Sequence, residues 1–140
     1  MIRMSPVTMI ANDPNVTTDL RDVLLADSRL VRLLGGKHVF IDVESDPPAP
    51  HINIAQSKPD AFDPRGDRLV SLQIWPHSGE RKVAEALIAR TERALEKAGV
   101  TGDGTSARLQ KLFGGARRLP DSREFHCILR YREMGYPAVS

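Results

Sequence analysis

The sequence predicts an α+β fold: a mostly antiparallel sheet of about five strands with two helices packed on one face. Five segments have the alternating or β-branched pattern that is typical of strands. Two others repeat apolar residues at the three- and four-residue spacing of a helix. The links between successive strands contain proline, glycine and aspartate, which favours hairpin-like connections and antiparallel pairing.

The composition is that of one globular domain. The chain has 140 residues, of which 41% are hydrophobic and 27% are charged. Twenty basic and eighteen acidic residues give a net charge of +2, well short of the basic excess typical of nucleic-acid-binding domains. A single cysteine excludes an internal disulfide. No apolar run approaches the ~20 residues that span a bilayer, so we expect no membrane partner.

The N-terminal stretch contains Pro6 and Pro14, which interrupt it before a signal-peptide core of sufficient length forms. We therefore expect a protein made in the cytoplasm. Residues 1–16 are predicted to form an extended arm, and residues 17–140 a single α+β domain.

The first helical segment follows Thr17 and Thr18, either of which can cap its N-terminus. Asp27 is a second cap and introduces a shorter turn. The pair Gly35–Gly36 tolerates left-handed backbone angles and is expected to end this segment.

Three strands are predicted next. Residues 37–43 are β-branched and aromatic, and residues 51–56 alternate apolar with polar side chains. The proline-rich stretch 46–50 between them can only be a connection, because proline lacks the donor that a sheet requires. Residues 68–75 alternate again, after a polar loop at 57–68.

The long helix is predicted from Ser78, its expected cap, to Gly99, which ends it. The opposite side of this helix is charged. The apolar face expected to meet the sheet comprises Ala84, Leu87, Ile88, Thr91, Leu95 and Ala98.

Residues 105–119 and 123–133 then read as two strands of an antiparallel hairpin, joined by a tight link at 120–122. The glycine pair at 114–115 suggests a bulge or bend in the first of them. In the second strand, residues 125, 127, 129 and 131 are expected to face the core.

That alternation gives the hairpin an arginine-rich outer face, formed by Arg117, Arg118, Arg130 and Arg132. Such a face is either ordinary solvated sheet surface or a surface that meets acidic protein or passing nucleic acid.

No catalytic, cofactor-binding or metal-binding site is predicted. The four histidines lack the close spacing of metal ligands. Cys127 lies in an apolar run and is expected to be a small buried hydrophobe. A nuclease would need carboxylates at adjacent strand ends, whereas Asp63 and Asp67 lie in a turn-rich loop and, with Glu124, are better explained as surface charge.

The chain resembles the tail-completion or tail-terminator proteins of tailed bacteriophages, which also occur in gene-transfer particles. Four stretches carry the resemblance, in order, between residues 17 and 134: TTDLRDVLLADSRLVRLLGGKHVF, DPPAPHINIAQ, VSLQIWPHSGERKVAEALIARTERAL and LPDSREFHCILRYRE. The tryptophan, the small-residue turn and the helix of the third stretch are the most similar.

The resemblance implies a non-enzymatic virion protein without cofactors, located at the head-proximal end of the tail. Such proteins form a closed ring, commonly of six copies, that stops polymerisation of the tail-tube protein. The ring also provides a docking surface for the head-closure connector, and DNA only passes through its lumen. In such a ring, we expect subunit or tube contacts from the arm 1–16 and from the loop residues Asp63, Arg65 and Asp67. The arginine-rich face should lie at a subunit boundary or along the lumen, and the boundary is favoured because strong attraction around the lumen would retard DNA.

Two alternatives remain from the sequence. One is a head-closure or adaptor protein of the same particle, and the other is a small α+β protein that binds or cleaves nucleic acid.

Overall fold

The computed structural model describes residues 16–43, 47–48, 50–57, 68–101 and 108–133. This part of the chain forms three helices and five strands. The helices are α1 (Val16–Leu25), α2 (Ser28–Leu34) and α3 (Arg81–Lys97), and the strands are β1 (Val39–Ile41), β2 (His51–Ser57), β3 (Leu69–Trp75), β4 (Leu109–Arg118) and β5 (Phe125–Glu133).

The strands form one sheet in the order β1-β2-β3-β5-β4. The predicted α+β class and mostly antiparallel five-stranded sheet are confirmed. The first pair differs from the expectation, because β1 lies parallel to β2, with Val39 opposite Ile52. Parallel neighbours normally need a long crossover. Here β1 has only three residues, so the short connection 42–50 suffices to return the chain.

The strand β5 lies between β3 and β4 and is antiparallel to both. β3 and β4 therefore run in the same direction, and α3 makes the crossover between them. The hairpin predicted from residues 105–119 and 123–133 is confirmed as β4 and β5. This arrangement leaves β4, a ten-residue strand, at one edge of the sheet.

One hydrophobic core joins the helices to the sheet. Alternate residues of β2, β3 and β5 carry buried apolar side chains, which belong to the same cluster as the buried apolar residues of all three described helices. We call the side of the sheet that carries them the core face, and the opposite side the outer face. The core-face residues of these strands are Ile52, Ile54, Val70, Leu72, Ile74, Phe125, Cys127, Leu129 and Tyr131.

The ends of α3 correct two details of the sequence prediction. The N-cap is Glu80, and the Ser78 hydroxyl instead accepts a hydrogen bond from the Glu80 N–H, at 3.0 Å. Ala98 is exposed, whereas Ala94, which was not expected, is buried. The helix ends at Lys97 with Ala98 as its C-cap, and Gly99 follows with a φ of 75°, at the position where the sequence predicted the end.

The segment expected to be a short turn after Asp27 is the helix α2. Asp27 is its N-cap, and its side chain accepts a hydrogen bond from the Leu30 N–H at 2.9 Å. Gly35 ends the helix with a φ of 80°, as the sequence predicted.

Candidate interaction surface

The candidate site is the outer face of the sheet. Strand alternation places residues of β2, β3, β5 and β4 there in rows, one of which runs through Asn53, Gln73, Ile128 and Gly115. Three arginines lie on this face, and none of the described strand residues on it is a carboxylate. The outer face is therefore positively charged.

The structure separates the four arginines that the sequence grouped together. Arg117, Arg130 and Arg132 lie on the outer face, as expected. Arg118 was placed with them wrongly, because adjacent strand residues point to opposite faces. Its guanidinium lies 4.5 Å from the centre of the Phe125 ring, and its Nη1 donates to the carbonyl oxygens of Gly79 and Arg123, each at 3.1 Å.

Arg130 is held in a defined position. Its Nε donates to the Ser71 hydroxyl at 3.2 Å, and its guanidinium lies 5.2 Å from the centre of the Phe113 ring. A cation above an aromatic ring gains electrostatic attraction from the ring face. These two contacts therefore hold the positive charge of Arg130 beside an exposed apolar ring and restrict the motion of its side chain.

The loop residues Asp63, Arg65 and Asp67, also predicted as contact residues, lie outside the described residues.

A row of aromatic rings crosses one end of the outer face. Phe40 meets the His51 ring edge-on at 6.2 Å, and His51 stacks on Trp75 at 6.3 Å. Trp75 in turn stacks on His126, with centroids 3.9 Å apart. The His77 ring lies 5.5 Å from that of His51.

This convergence was not predicted, because the histidines lie far apart in the sequence. Each strand's alternation was a usable signal, since it puts His51 and His126 on the outer face. Their proximity also requires the cross-strand register, in which His51 lies opposite Trp75. That register is set by non-local pairing.

Burial lowers the pKa of His126, and the nearby positive charge of Arg117 lowers it further. The imidazole is therefore neutral at pH 7 and stacks on Trp75 as an uncharged aromatic ring.

A gap opens in the outer face at Gly115. Position 115 has no side chain, and a Cβ built there would meet nothing within 4 Å. The resulting concavity, of about 360 Å³, is lined by Phe113, Gly115, Ala116, Arg117, His126 and Ile128.

Beside this gap, β4 exposes unusually large apolar side chains. Phe113 is 47% exposed and Leu112 is 38% exposed. The register of β4 against β5 shifts between Lys111 and Phe113, so the irregularity expected at the two glycines lies just before them. Among the described strands, none pairs with the outer edge of this stretch, which also exposes apolar surface.

The described residues contain no group of three His, Cys, Asp or Glu side chains that could hold a metal ion. Cys127 is buried, as predicted, and burial raises the pKa of its thiol to about 11. The thiolate nucleophile is therefore scarce at neutral pH. Within the ranges that the structure describes, no helix is long and apolar enough to cross a membrane.

A positively charged sheet face beside an edge strand with exposed apolar side chains is suited to contact with other molecules. The chain matches the family described as "Tail completion protein gp17" over residues 18–134, and it belongs to that family. It is a structural protein of the virion that acts in tail completion.

The fold has a counterpart among solved structures. A chain of the "Virion of native gene transfer agent (GTA) particle" superposes with a TM-score of 0.61 at 20% identity. The match covers 84% of this chain and 92% of that chain. No curated protein matches the sequence significantly.

Proposed function

We propose that this protein is a tail terminator. Copies of it form a closed ring, expected to be a hexamer, on the head-proximal end of the tail tube. The ring stops addition of the tail-tube protein and provides the surface on which the head-closure connector docks. It acts by shape and contact, without catalysis, and DNA crosses its lumen only in transit.

The observation that carries the proposal is the exposed edge of the sheet. Leu109, the first of the ten residues of β4, pairs with Thr101, and among the described residues the rest of the strand has no partner on its outer edge, beside the partly exposed Leu112 and Phe113. Exposed edges invite pairing with other chains, and monomeric proteins usually cover them. A ring brings each such surface against a neighbouring copy by a head-to-tail contact that closes on itself. Membership of the tail completion family supports the same conclusion.

The contacts follow from the positions of the charged residues. Arg117, Arg130 and Arg132 lie at the boundary between subunits, where their planar guanidinium groups can pair with carboxylates. The loop residues Asp63, Arg65 and Asp67, and the arm 1–16, contribute further contacts to neighbouring copies or to the tube. Arg118 is excluded from this set because it is bonded on the other side of the sheet.

The direct test mixes the purified protein with isolated tail tubes and images them by negative-stain electron microscopy. We expect a ring at one end of each tube and no further growth when tube protein is added. Binding to filled heads but never to tubes would instead identify a connector, and salt-dependent DNA binding without ring formation would identify a nucleic-acid-binding protein.

Charge reversal tests the boundary. The Arg117→Glu variant, altered at an exposed position, should fold normally but fail to form the ring, as measured by native mass spectrometry. Arg93→Glu on α3 is the matched control, because Arg93 is also exposed but lies on a helix and not on the outer face. An unchanged oligomer in Arg117→Glu would refute the boundary assignment.

A further inference from the structure

The gap at Gly115 has no structural reason within the described chain. Gly115 does not have a positive φ, so its backbone conformation is open to any residue. Its neighbour Gly114 is different, because a Cβ there would lie 2.5 Å from Leu129 Cδ2. A glycine inside a strand often marks a bulge, a tight bend or a place where another molecule approaches closely, and the register shift of β4 lies before Gly115, between Lys111 and Phe113. The missing side chain at 115 keeps the outer face open.

The residues that line the gap determine which kind of side chain can bind there. Ile128 and the His126 ring form its floor, and Phe113 and Arg117 flank it along β4. Arg130 adds a second positive charge beside Phe113. The surface therefore suits an apolar side chain with carboxylates on either side. Duplex DNA would satisfy the arginines but has no apolar side group to fill the space between them.

One segment of this chain has that composition. Residues 58–67, which lie outside the described residues, read KPDAFDPRGD. Phe62 is flanked there by Asp60 and Asp63. The chain has four phenylalanines, and the other three lie in strands of the sheet.

The geometry of the sheet favours a second copy as the source of this segment. In the strand registers, Ser57 lies four residues along and three strands across from Gly115, which is about 20 Å at ~3.3 Å per residue and ~4.8 Å per strand. The five residues from Ser57 to Phe62 span at most about 17 Å between Cα atoms, so Phe62 of the same copy could reach the gap only with this segment almost fully extended across the outer face. A neighbouring copy is under no such restraint.

We propose that Phe62 of one copy occupies the gap at Gly115 of the next, with Asp60 and Asp63 pairing with Arg117 and Arg130. This inference rests on the ring of the proposed function and names the contact that closes it. It also makes the interface heterologous, since a loop meets a sheet face, which is the arrangement that rings require.

The experiment fills the gap without disturbing the fold. Gly115→Val places a side chain in open space at a strand position that suits valine. Self-association should weaken about tenfold or more, by native mass spectrometry across a concentration series, because one apolar anchor is excluded. The melting temperature should not fall. Gln110→Val, an exposed change on the same strand and face beyond the register shift, is the matched control and should assemble normally.

A second variant approaches the contact from the other side. Phe62→Ala should weaken self-association as Gly115→Val does, and should leave the melting temperature of the monomer unchanged. Combining Arg117→Asp with Asp63→Arg should restore part of the assembly that either change alone removes. A Phe62→Ala protein that has a lower melting temperature but assembles normally would show that residues 58–67 pack on their own subunit. That result would overturn the inference.

The outcomes separate this inference from the proposed function. A wild-type protein that never self-associates, with or without tail tubes, would refute the ring itself. A wild-type ring that Gly115→Val leaves intact would refute only the contact at the gap. Loss of DNA retention in Gly115→Val, with an unchanged ring, would assign the gap to nucleic acid and likewise overturn the contact.

Discussion

Arg90 and Asp27 form a two-point ion pair that ties the long helix α3 to the start of α2. Arg90 Nε donates to Asp27 Oδ1 at 3.1 Å, and its Nη2 donates to Oδ2 at 2.8 Å. The same carboxylate accepts the Leu30 N–H, so one side chain caps a helix and anchors another. The pair lies 63 residues apart in sequence, and its fork geometry fixes orientation as well as distance.

Substitution of Asp27 by Ala should destabilise the fold. Loss of the N-cap alone costs about 1 kcal/mol, and the Arg90 guanidinium also loses its partner. Urea unfolding at pH 7 measures the change. Arg90→Leu should shift the midpoint in the same direction, whereas Arg93→Leu, one turn away and exposed, should leave it nearly unchanged. Equal midpoints for Arg90→Leu and wild type would show that the ion pair contributes nothing.

The same pair predicts a dependence on pH. The hydrogen bond from Arg90 is the main cause that lowers the pKa of Asp27 from its ordinary value of 3.8. The stabilisation that the ionised Asp27 carboxylate contributes is therefore complete above its ordinary pKa of 3.8. This stabilisation is lost as the pH falls through the lower pKa of Asp27 in the folded state. The difference in melting temperature between wild type and Asp27→Asn should shrink below pH 3.8. A constant difference across this range would contradict the assignment.

Leu87 should be a principal support of the core. It is 1% exposed and lies on the face of α3 that joins the core cluster. Leu87→Ala should cost on the order of 2–5 kcal/mol, through lost apolar burial and the cavity left behind. Denaturant unfolding gives the value, and Glu85→Ala on the exposed face is the control. A midpoint unchanged by Leu87→Ala would mean that the orientation of α3 is wrong.

The adjacent glycines of β4 should respond oppositely to the same change. Gly114→Ala forces a methyl group against the buried Leu129 side chain and should cost about 1–3 kcal/mol. Gly115→Ala meets open space and should be neutral or stabilising by up to about 1 kcal/mol, because it restricts the unfolded chain. Thermal melts of the two variants decide this. Equal destabilisation would contradict the placement of the two residues on opposite faces.

Trp75, the single tryptophan of the chain, should report the charge on His126. A protonated imidazole quenches indole fluorescence more strongly than a neutral one. Burial, assisted by Arg117, lowers the pKa of His126, so the loss of emission should occur below its ordinary value of 6.5. Because the unfolded chain binds this proton more readily, stability should also fall as the pH drops through that window.

Arg117→Gln should move the midpoint of this fluorescence change upward, towards 6.5. His126→Gln is the control, and a transition of full size in that variant would assign the quenching to another group, such as His51.

The faces of individual elements were predictable because they depend on local periodicity. The alternation in residues 125–133 correctly placed Phe125, Cys127, Leu129 and Tyr131 in the core. Gly35 and Gly99 ended their helices as expected, since each has the positive φ that glycine tolerates.

Relations between elements were not predictable in the same way. The parallel pairing of β1 with β2 depends on how short β1 is, which becomes evident only when the sheet forms. The row from His51 to His126 and the gap at Gly115 both depend on registers that involve three or more strands. No window of sequence contains that information.

The insertion of β5 between β3 and β4 has a consequence for how the protein is made. β5 follows both of its neighbours in the sequence, so during synthesis each of them has an unoccupied edge until residues 125–133 leave the ribosome. Unfinished chains with open edges are prone to aggregation, and pairing between distant segments is slow. A copy becomes competent for assembly only after β5 has inserted between β3 and β4. The timing of translation and release therefore limits how early a subunit can associate with others.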